Sequence, residues 1–591
     1  MCGVFGYIGE EKENLSDFLL SGLARLEYRG YDSAGIAIVA NGRTKIFKET
    51  GELKNLARAL SGKKIAGSLG IGHTRWATHG KVTKKNAHPH TDCTGKILVV
   101  HNGIIENFED FKEKLLRKGH KFISDTDTEV FAHLVEDKLS KRVSFHDAVR
   151  LTFGELLGLN AIVAVTDGQI VAFRRGSPLI AGNGKYGNYI SSDIPALASI
   201  TDKIVLLDEG EGVILSKDGV FRIDPKTGKL KKAKSTVIKM EEVSAQKGSF
   251  PHFLIKEIYE QPVVLMRVAS NKKKEIKEVA SLIKNAWGTY FTACGTAAHA
   301  GLAATYMFSE TAKCHVNFAV GSEFPYFEDF LVPRSLLIAG SQSGETMDTL
   351  EAVRAAKRHK SKILALVNVP SSSLERLADY TIHLRAGPER AVLSTKSYVA
   401  KLALFLLFAY TLVGEYQKGG DLIKNTSKKM AKMFKEGVAK DVKKLANILK
   451  DKKHIYIIGR GVNYATALEG ALKIKEASYI HAEGFAAGEL KHGVIALIEK
   501  GTPCIAIVAE DRAKESVLSN CSELAARGGY IIGISAKKES VFDHWIPIPD
   551  VGVASPIVSV VPMQLLAYYL AVLRGYNPDR PRNLAKSVTV K

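Results

Sequence analysis

Six short apolar runs in the C-terminal part of the chain restrict its architecture more than any other feature. Thr289–Ala293, Ser335–Gly340 and Ile363–Val367 are almost wholly apolar, and each leads into a Gly- or Ser-containing turn and then a helical pattern. A strand covered on both faces has no polar side to alternate with, so such runs point to a buried parallel sheet. The pattern recurs at His454–Ile458, Cys504–Val508 and Tyr530–Ile534, and in both sets the first run ends in a glycine turn, Cys294-Gly295-Thr296 and Gly459-Arg460-Gly461. This reads as an internal duplication: two doubly wound α/β subdomains, expected over residues 266–425 and 440–580, with a tail over 581–591.

The first 240 residues have another character. Short β-rich runs (Gly35–Ala40, Lys96–His101, Asn160–Val165, Gln169–Arg174, Tyr189–Ser192, Lys203–Leu207) alternate with helical patterns at Leu15–Leu26, Phe108–Lys118 and Thr128–Leu139. Strands flanked by helices predict a layered α/β/α or α+β domain over 2–240. Glu241–Pro251 carries little periodicity, and a linker is expected over 241–265. At 591 residues the chain exceeds one core and requires several domains.

Leu402–Val413 is an apolar run of about a dozen residues where a bilayer span takes roughly 20, so it predicts a buried helix and no membrane partner. No basic segment followed by an apolar stretch marks the N-terminus. Cys2, Cys93, Cys294, Cys314, Cys504 and Cys521 lie without CxxC spacing, which speaks against zinc and disulfides and for the cytoplasm. The formal charge of +21 raises nucleic acid as a partner. Yet Lys231-Lys232 and Lys272-Lys273-Lys274 have no interleaved aromatic residues to stack bases, so none is expected. A positive field suits anionic substrates, or a heat-adapted surface, equally well.

Cys2 becomes the first residue once Met1 is removed. Its α-amine, with a pKa of about 7.7–8.0, can take the thiol proton within the same residue. Alone this means little, but four segments accompany it. His73-Thr74-Arg75-Trp76-Ala77-Thr78-His79-Gly80 holds an arginine fork that matches a carboxylate, or else a surface arginine beside a packed Trp. His101-Asn102-Gly103 offers either a turn or an amide beside an approachable N–H, as an oxyanion hole requires. Ser124-Asp125-Thr126-Asp127-Thr128-Glu129 is either a helix N-cap or a carboxylate placed for an α-ammonium. With Tyr28-Arg29-Gly30-Tyr31-Asp32-Ser33-Ala34-Gly35, these segments resemble the class II glutamine amidotransferase domain. The resemblance implies an α/β/β/α Ntn-hydrolase-type glutaminase, with Cys2 as nucleophile and Arg75 and Asp127 as glutamine anchors. It also implies Asn102 and Gly103 as oxyanion hole and Trp76 gating the ammonia path.

In the C-terminal part, Ser341-Gln342-Ser343-Gly344-Glu345-Thr346 sits between an apolar strand and a helix. There hydroxyls and free N–H groups suit a phosphate monoester, although a capping box uses the same letters. Cys294-Gly295-Thr296 ends the first strand of the same subdomain, and Ser394-Thr395-Lys396 adds donors. Lys473 and Glu476 lie three apart on the helical stretch Leu468–Tyr479, followed by His481 and Lys491-His492-Gly493. A salt-bridged helix explains that spacing too. The chain ends in Pro581-Arg582-Asn583-Leu584-Ala585-Lys586-Ser587.

Ser341–Thr346, Leu468–Glu476, Glu489–Gly493 and Arg582–Lys586 resemble the duplicated sugar-isomerase (SIS) domains of the glutamine–fructose-6-phosphate aminotransferase family. Lys256-Glu257-Ile258-Tyr259-Glu260-Gln261-Pro262 extends the likeness to nearly the whole chain. The resemblance implies transfer of the glutamine amide nitrogen to fructose 6-phosphate with ketose-to-aldose isomerisation, giving glucosamine 6-phosphate and glutamate. It assigns ring opening to His492, a Schiff base at C2 to Lys586 and proton transfer from C1 to C2 to Glu476. Thr296, Ser341, Gln342, Ser343, Thr346, Ser394, Lys473, Arg582 and Ala585 are expected around the sugar phosphate. The imine needs a free amine, and Arg582 and Lys473 are the expected source of a field lowering the Lys586 pKa. No metal or organic cofactor is expected, and a homodimer through the SIS half would place His492 across the interface. Ala297, Val392-Leu393-Ser394-Thr395-Lys396 and Val494 depart from the family pattern, which bears on phosphate geometry rather than on the reaction.

Two classes of rival are another amidotransferase and a SIS protein that senses or deaminates phosphosugars. Phosphoribosyl transfer needs an acidic diphosphate loop and asparagine synthesis an ATP-pyrophosphatase motif, and neither is found. A phosphosugar-sensing SIS protein, or a deaminating SIS enzyme with a fossil glutaminase, predicts loss of Cys2, Arg75, Glu476 or Lys586, and all are present; another phosphosugar amination enzyme remains the alternative.

Overall fold

The computed structural model describes residues 2–589 except 41, 167, 198–199 and 238–246. It divides into two compact units, Met1–Val243 with Ser587–Lys591, and Ser244–Lys586.

The first unit is built on two antiparallel sheets of eight and seven strands. Side chains alternate along each strand, and the alternation decides the layers. Along Gly3–Lys12, Val4 and Ile8 point into an apolar layer that also takes Leu98, Val100, Val163 and Ala172 from the other sheet. Phe5 and Tyr7, on the opposite side, meet Leu15, Leu19 and Leu23 of the helix Leu15–Ala24. Val99 and Ile162 leave the second sheet outward, against helices Phe108–Arg117, Glu129–Leu139 and Phe145–Glu155. The result is α/β/β/α: the strands expected from sequence form two stacked sheets rather than the one of an α/β/α sandwich.

The second unit holds two five-stranded parallel sheets. In the first, strand Gly288–Ala293 lies between Asn317–Val320 and Ser335–Ser341, followed outward by Lys362–Val367 and Tyr380–His383. In the second, His454–Gly459 lies between His481–Ala486 and Pro503–Val508, followed by Tyr530–Ser535 and His544–Pro547. Both have the order 2-1-3-4-5, so the duplication is structural. In this topology ligands settle at the carboxyl ends of strands one and three, where chain direction across the sheet reverses.

The expected linker at 241–265 is helical from Phe253 onward. Phe253–Tyr259 and Gln261–Ala269 bury Leu254, Ile255, Ile258, Val264 and Leu265 in the core of the second unit. Apolar spacing of one, three and four residues built this face; the intervening Lys and Glu residues disguised it. Lys396–Leu412, which contains the apolar run, is buried along nearly its whole length. Gly552–Leu573 is long and apolar enough to cross a membrane, but 83% of its most apolar 18-residue window is buried, and it packs on Val462–Ser478 as a core helix.

Candidate functional site

In the first unit Cys2 enters the strand Gly3–Lys12, and its surroundings come from distant parts of the sequence. The Trp76 N–H donates to Cys2 Sγ at 3.2 Å, and the Asn102 amide donates to the Cys2 carbonyl at 2.9 Å. Burial, partly offset by the Trp76 N–H and by Arg75, raises the thiol pKa. The Asn102 amide is fixed from behind: His73 Nε2 lies 3.1 Å from Asn102 Oδ1 and 3.0 Å from the His101 carbonyl. Burial lowers His73 to about 3, so its ring is neutral and donates through Nε2. An amide nitrogen carries two hydrogens, and only one is engaged by Cys2. Gly103 has φ +142°, and a Cβ there would stand 1.9 Å from the Leu159 carbonyl, so no other residue fits.

Arg75 is buried, and among the described residues its guanidinium donates to carbonyls alone: those of His79, Gly80 at 3.3 Å and Lys81 at 3.5 Å. Burial lowers its pKa while Cys2, Asp127 and Asp32 oppose the shift, so all four groups share one electrostatic neighbourhood. A buried cation served by neutral acceptors is ready for an incoming carboxylate. Asp127 accepts from the Ile105 N–H at 2.8 Å and stands 3.9 Å from His101. Trp76 is half-exposed and edge-on to Tyr31. Arg29 belongs to the Tyr28–Gly35 motif, whereas Asp193 stands in none. The Arg29 guanidinium donates to the Cys2 carbonyl at 3.2 Å and pairs with Asp193 at 2.8 Å, holding the start of the strand.

In the second unit the turn Ser341–Thr346 closes strand three of the first sheet and opens the helix Met347–Arg358. Ser341 Oγ accepts from the Gly344 N–H at 3.0 Å and lies 2.9 Å from Thr346 Oγ1; Ser343 Oγ accepts from the Glu345 N–H at 3.2 Å. Gly344 takes φ +70°, which turns the backbone so tightly that a Cβ would strike Ser372. Gln342 is half-buried beside them.

The helices that follow strand one in each sheet, Gly295–Met307 and Val462–Ser478, pack against each other. Lys473 therefore donates to Thr296 at 2.8 Å and to Glu476 at 2.5 Å, and approaches Glu469 at 3.5 Å. His299 meets the same Glu469 at 2.8 Å. Burial raises the Glu476 carboxyl, only partly offset by Lys473, and the charge of Lys586 also reaches it.

Lys586 is 4% exposed and donates to Glu389 at 2.8 Å, with Ser394 Oγ 3.5 Å away. Its nearest charged partner is thus a carboxylate. The expected cationic neighbours are engaged elsewhere: Lys473 with Glu476, and Arg582 over the Tyr479 ring at 4.1 Å. Burial alone would raise Glu389, but the Lys586 ammonium and the Ser397 and Thr395 N–H groups overcome it and hold the carboxyl down at about 2. Glu257 is pushed up to about 8 by burial and by Glu389. Lys401 is lowered to about 8 by burial. Glu389, Glu469, Glu257 and Lys401 escaped the sequence reading of the site. Lys401, directly before the apolar run Leu402–Val413, was the available signal, since buried lysines need partners. Ala585 is half-buried, and His492 is exposed, without a hydrogen bond or ion pair among the described residues.

Known proteins match this arrangement along its whole length. The SIS domain family matches residues 282–410 and 448–574, and the glutamine amidotransferase domain family matches residues 44–144. A glutamine–fructose-6-phosphate aminotransferase (isomerizing) of Pyrococcus horikoshii is 46% identical over 600 residues, with all of both chains covered. Those of Thermococcus kodakarensis and Thermus thermophilus are 44% and 41% identical, again over all of both chains. Among solved structures, the C-terminal domain of a glucosamine–fructose-6-phosphate aminotransferase from Francisella tularensis covers 57% of this chain and all of its own, at 35% identity and TM-score 0.54. With full-length relatives at this identity, and both domain types present, the chain belongs to the glutamine–fructose-6-phosphate aminotransferase (isomerizing) family.

Proposed function

We propose that the chain moves the amide nitrogen of glutamine onto fructose 6-phosphate and isomerises the product to glucosamine 6-phosphate. Family membership supports the reaction, and the geometry of each unit supports the assignment of residues. In the first unit the Cys2 thiolate, formed when the freed α-amine takes its proton, attacks the glutamine amide carbon. Asn102 and the Gly103 N–H stabilise the oxyanion, preorganised donors being among the largest contributions to such steps. Arg75 takes the α-carboxylate and Asp127 the α-ammonium. Ammonia leaves, and water releases glutamate from the thioester.

In the second unit the phosphate rests on the Ser341–Thr346 turn and the N-terminus of its helix, with Thr296, Ser394, Arg582 and the 585 backbone around the sugar. Lys586 forms the imine at C2 after His492, supplied by the partner subunit of a homodimer, opens the ring. For attack Lys586 must be a free amine, and the Glu389 carboxylate paired with it positions its Nζ. Ammonia then displaces the lysine, and Glu476 carries a proton from C1 to C2. A carboxylate whose pKa burial has raised suits a shuttle that must take and return a proton.

The observation that carries this reading is the buried Lys586–Glu389 pair, joined electrostatically to the Lys473–Glu476–Thr296 cluster. A structural lysine at a chain end has no need of a fully buried carboxylate. The test is Cys2→Ala: synthesis from glutamine should vanish while synthesis from ammonia persists. Undiminished use of glutamine would remove Cys2 from the mechanism, and loss of both activities would show that the two halves are not separable as proposed.

A further inference from the structure

A second cluster in the first unit belongs to neither site. Cys93, His120, His133 and Glu136 bring one ligand atom each to within 4.8 Å of one another. They come from three segments: the turn after His90–Thr91, the loop after the helix Phe108–Arg117, and the helix Glu129–Leu139. Cys93 Sγ lies 3.5 Å from His133 Nδ1 and 3.7 Å from His120 Nδ1; Glu136 Oε2 lies 3.1 Å and 3.0 Å from the same two nitrogens. Around a tetrahedral zinc, with bonds of about 2.0–2.3 Å, neighbouring ligand atoms stand roughly 3.3–3.8 Å apart. The thiol–imidazole separations already have that size, and the carboxylate needs to withdraw by a few tenths of an ångström.

We propose that Cys93, His120, His133 and Glu136 bind one zinc-type divalent transition metal. The missing CxxC spacing spoke against zinc only because the four ligands are distributed over folded elements. A thiolate, two imidazoles and one carboxylate favour zinc over magnesium or calcium, which take oxygen ligands.

The surroundings hold these side chains in place, the Cys93 N–H itself donating to Glu136 Oε2 at 3.2 Å. The Lys121 N–H donates to Cys93 Sγ at 3.4 Å, which stabilises a thiolate. Asp92 accepts from the Thr94 and Ile97 N–H groups at 3.2 Å and 2.8 Å and so fixes the turn that presents Cys93. His133 and Glu136 share a helix face, and Glu129, one turn before His133, places Oε1 3.7 Å from His133 Nε2. An outer carboxylate behind the far nitrogen of a ligating histidine commonly holds its tautomer, and here Glu129 stands at ion-pair rather than hydrogen-bond distance. Glu129 also accepts from the Ile123 and Ser124 N–H groups at 2.7 Å and 2.6 Å, at the start of the segment that carries Asp127. The metal would therefore pin the base of the glutamine-anchoring loop. It is fully bound by protein groups, so its role is structural; binding releases the thiol proton.

The test uses the full chain. Protein stripped with a chelator is titrated with Zn²⁺ and separately with Co²⁺, bound metal is counted by mass spectrometry after gel filtration, and thermal unfolding is followed. About one zinc per chain, a tetrahedral cobalt spectrum with a thiolate-to-cobalt charge-transfer band, and a raised Tm are expected. Cys93→Ser should remove the charge-transfer band, and His133→Ala should lower zinc affinity at least about tenfold; Cys314→Ser should retain both. Less than about a tenth of a zinc per chain, or full retention of metal and band in Cys93→Ser and His133→Ala, overturns the proposal. Should either variant fail to fold, stoichiometry and cobalt spectrum of the unsubstituted chain decide the matter alone.

Discussion

The two halves of the second unit share strand order and helix placement but differ where ligands are expected to sit. After strand three of the first half come Ser341, Ser343 and Thr346, a ring of hydroxyls around a helix N-terminus. The same position in the second half carries Glu510 and Asp511, with Glu510 paired to Lys514 at 2.9 Å. A helix N-terminus attracts anions in both, but in the second half side-chain carboxylates already occupy that field. Conversely, the helix after strand one is nearly neutral in the first half (Gly295–Met307) and bears Glu469, Lys473 and Glu476 in the second. Duplication supplied one scaffold twice, and the halves diverged: hydroxyls line the strand-three turn of the first, and ionisable side chains line the strand-one helix of the second. Packing of the two equivalent helices then brings Thr296 to Lys473.

That division can be broken experimentally. Lys586→Ala should abolish amination of the sugar while glutamine hydrolysis survives, measured as glutamate release; retained synthesis would end the imine proposal. Glu476→Gln should lower kcat for isomerisation by about 10²–10⁴-fold with KM for fructose 6-phosphate nearly unchanged, since it removes a proton carrier. Glu389 sharpens the picture through pH. Its carboxyl is held at about 2 against an ordinary 4.5. Such a depressed group stabilises the fold fully above 4.5, and the contribution, about 3 kcal/mol, is lost as pH falls through 4.5 toward 2. Acid unfolding of Glu389→Gln should therefore show a flatter pH dependence across that window. Ser341→Ala should raise KM for the sugar phosphate about 10–100-fold, as loss of a hydrogen bond to a charged group does, with a smaller effect on kcat. The equivalent change in the second half, Asp511→Asn, should alter neither constant more than about twofold. A large effect there would erase the distinction between the halves.

Much of this was legible in the sequence, for identifiable reasons. Buried parallel strands announce themselves as continuous apolar runs, so the strands at 288–293, 335–341, 503–508 and 530–535 fell where expected. The edge strands Asn317–Val320 and His544–Pro547 did not, because a strand covered on one side is short and mixed in composition. The helix Phe253–Tyr259 was hidden by its Lys and Glu residues, of which Glu257 faces inward and accepts from the Arg390 and Ala391 N–H groups, while Glu260, just after the helix, pairs with Lys396 at 2.6 Å. In the first unit Cys2, Asn102 and Gly103 stood in recognisable motifs, whereas Asp193, which fixes Arg29, lies 164 residues from it and belongs to no local pattern. Partners that meet only through folding leave no spacing to read. Cys93 and His133 escaped for the same cause.

The central claim is a nitrogen transfer between two chemistries in one chain, and following the nitrogen tests it most directly. The purified full-length protein is given fructose 6-phosphate and glutamine labelled with ¹⁵N in the amide, and products are identified by mass spectrometry. Labelled glucosamine 6-phosphate and glutamate in equal amounts are expected. Glutamate without amino sugar, or amino sugar without the label, would contradict the account.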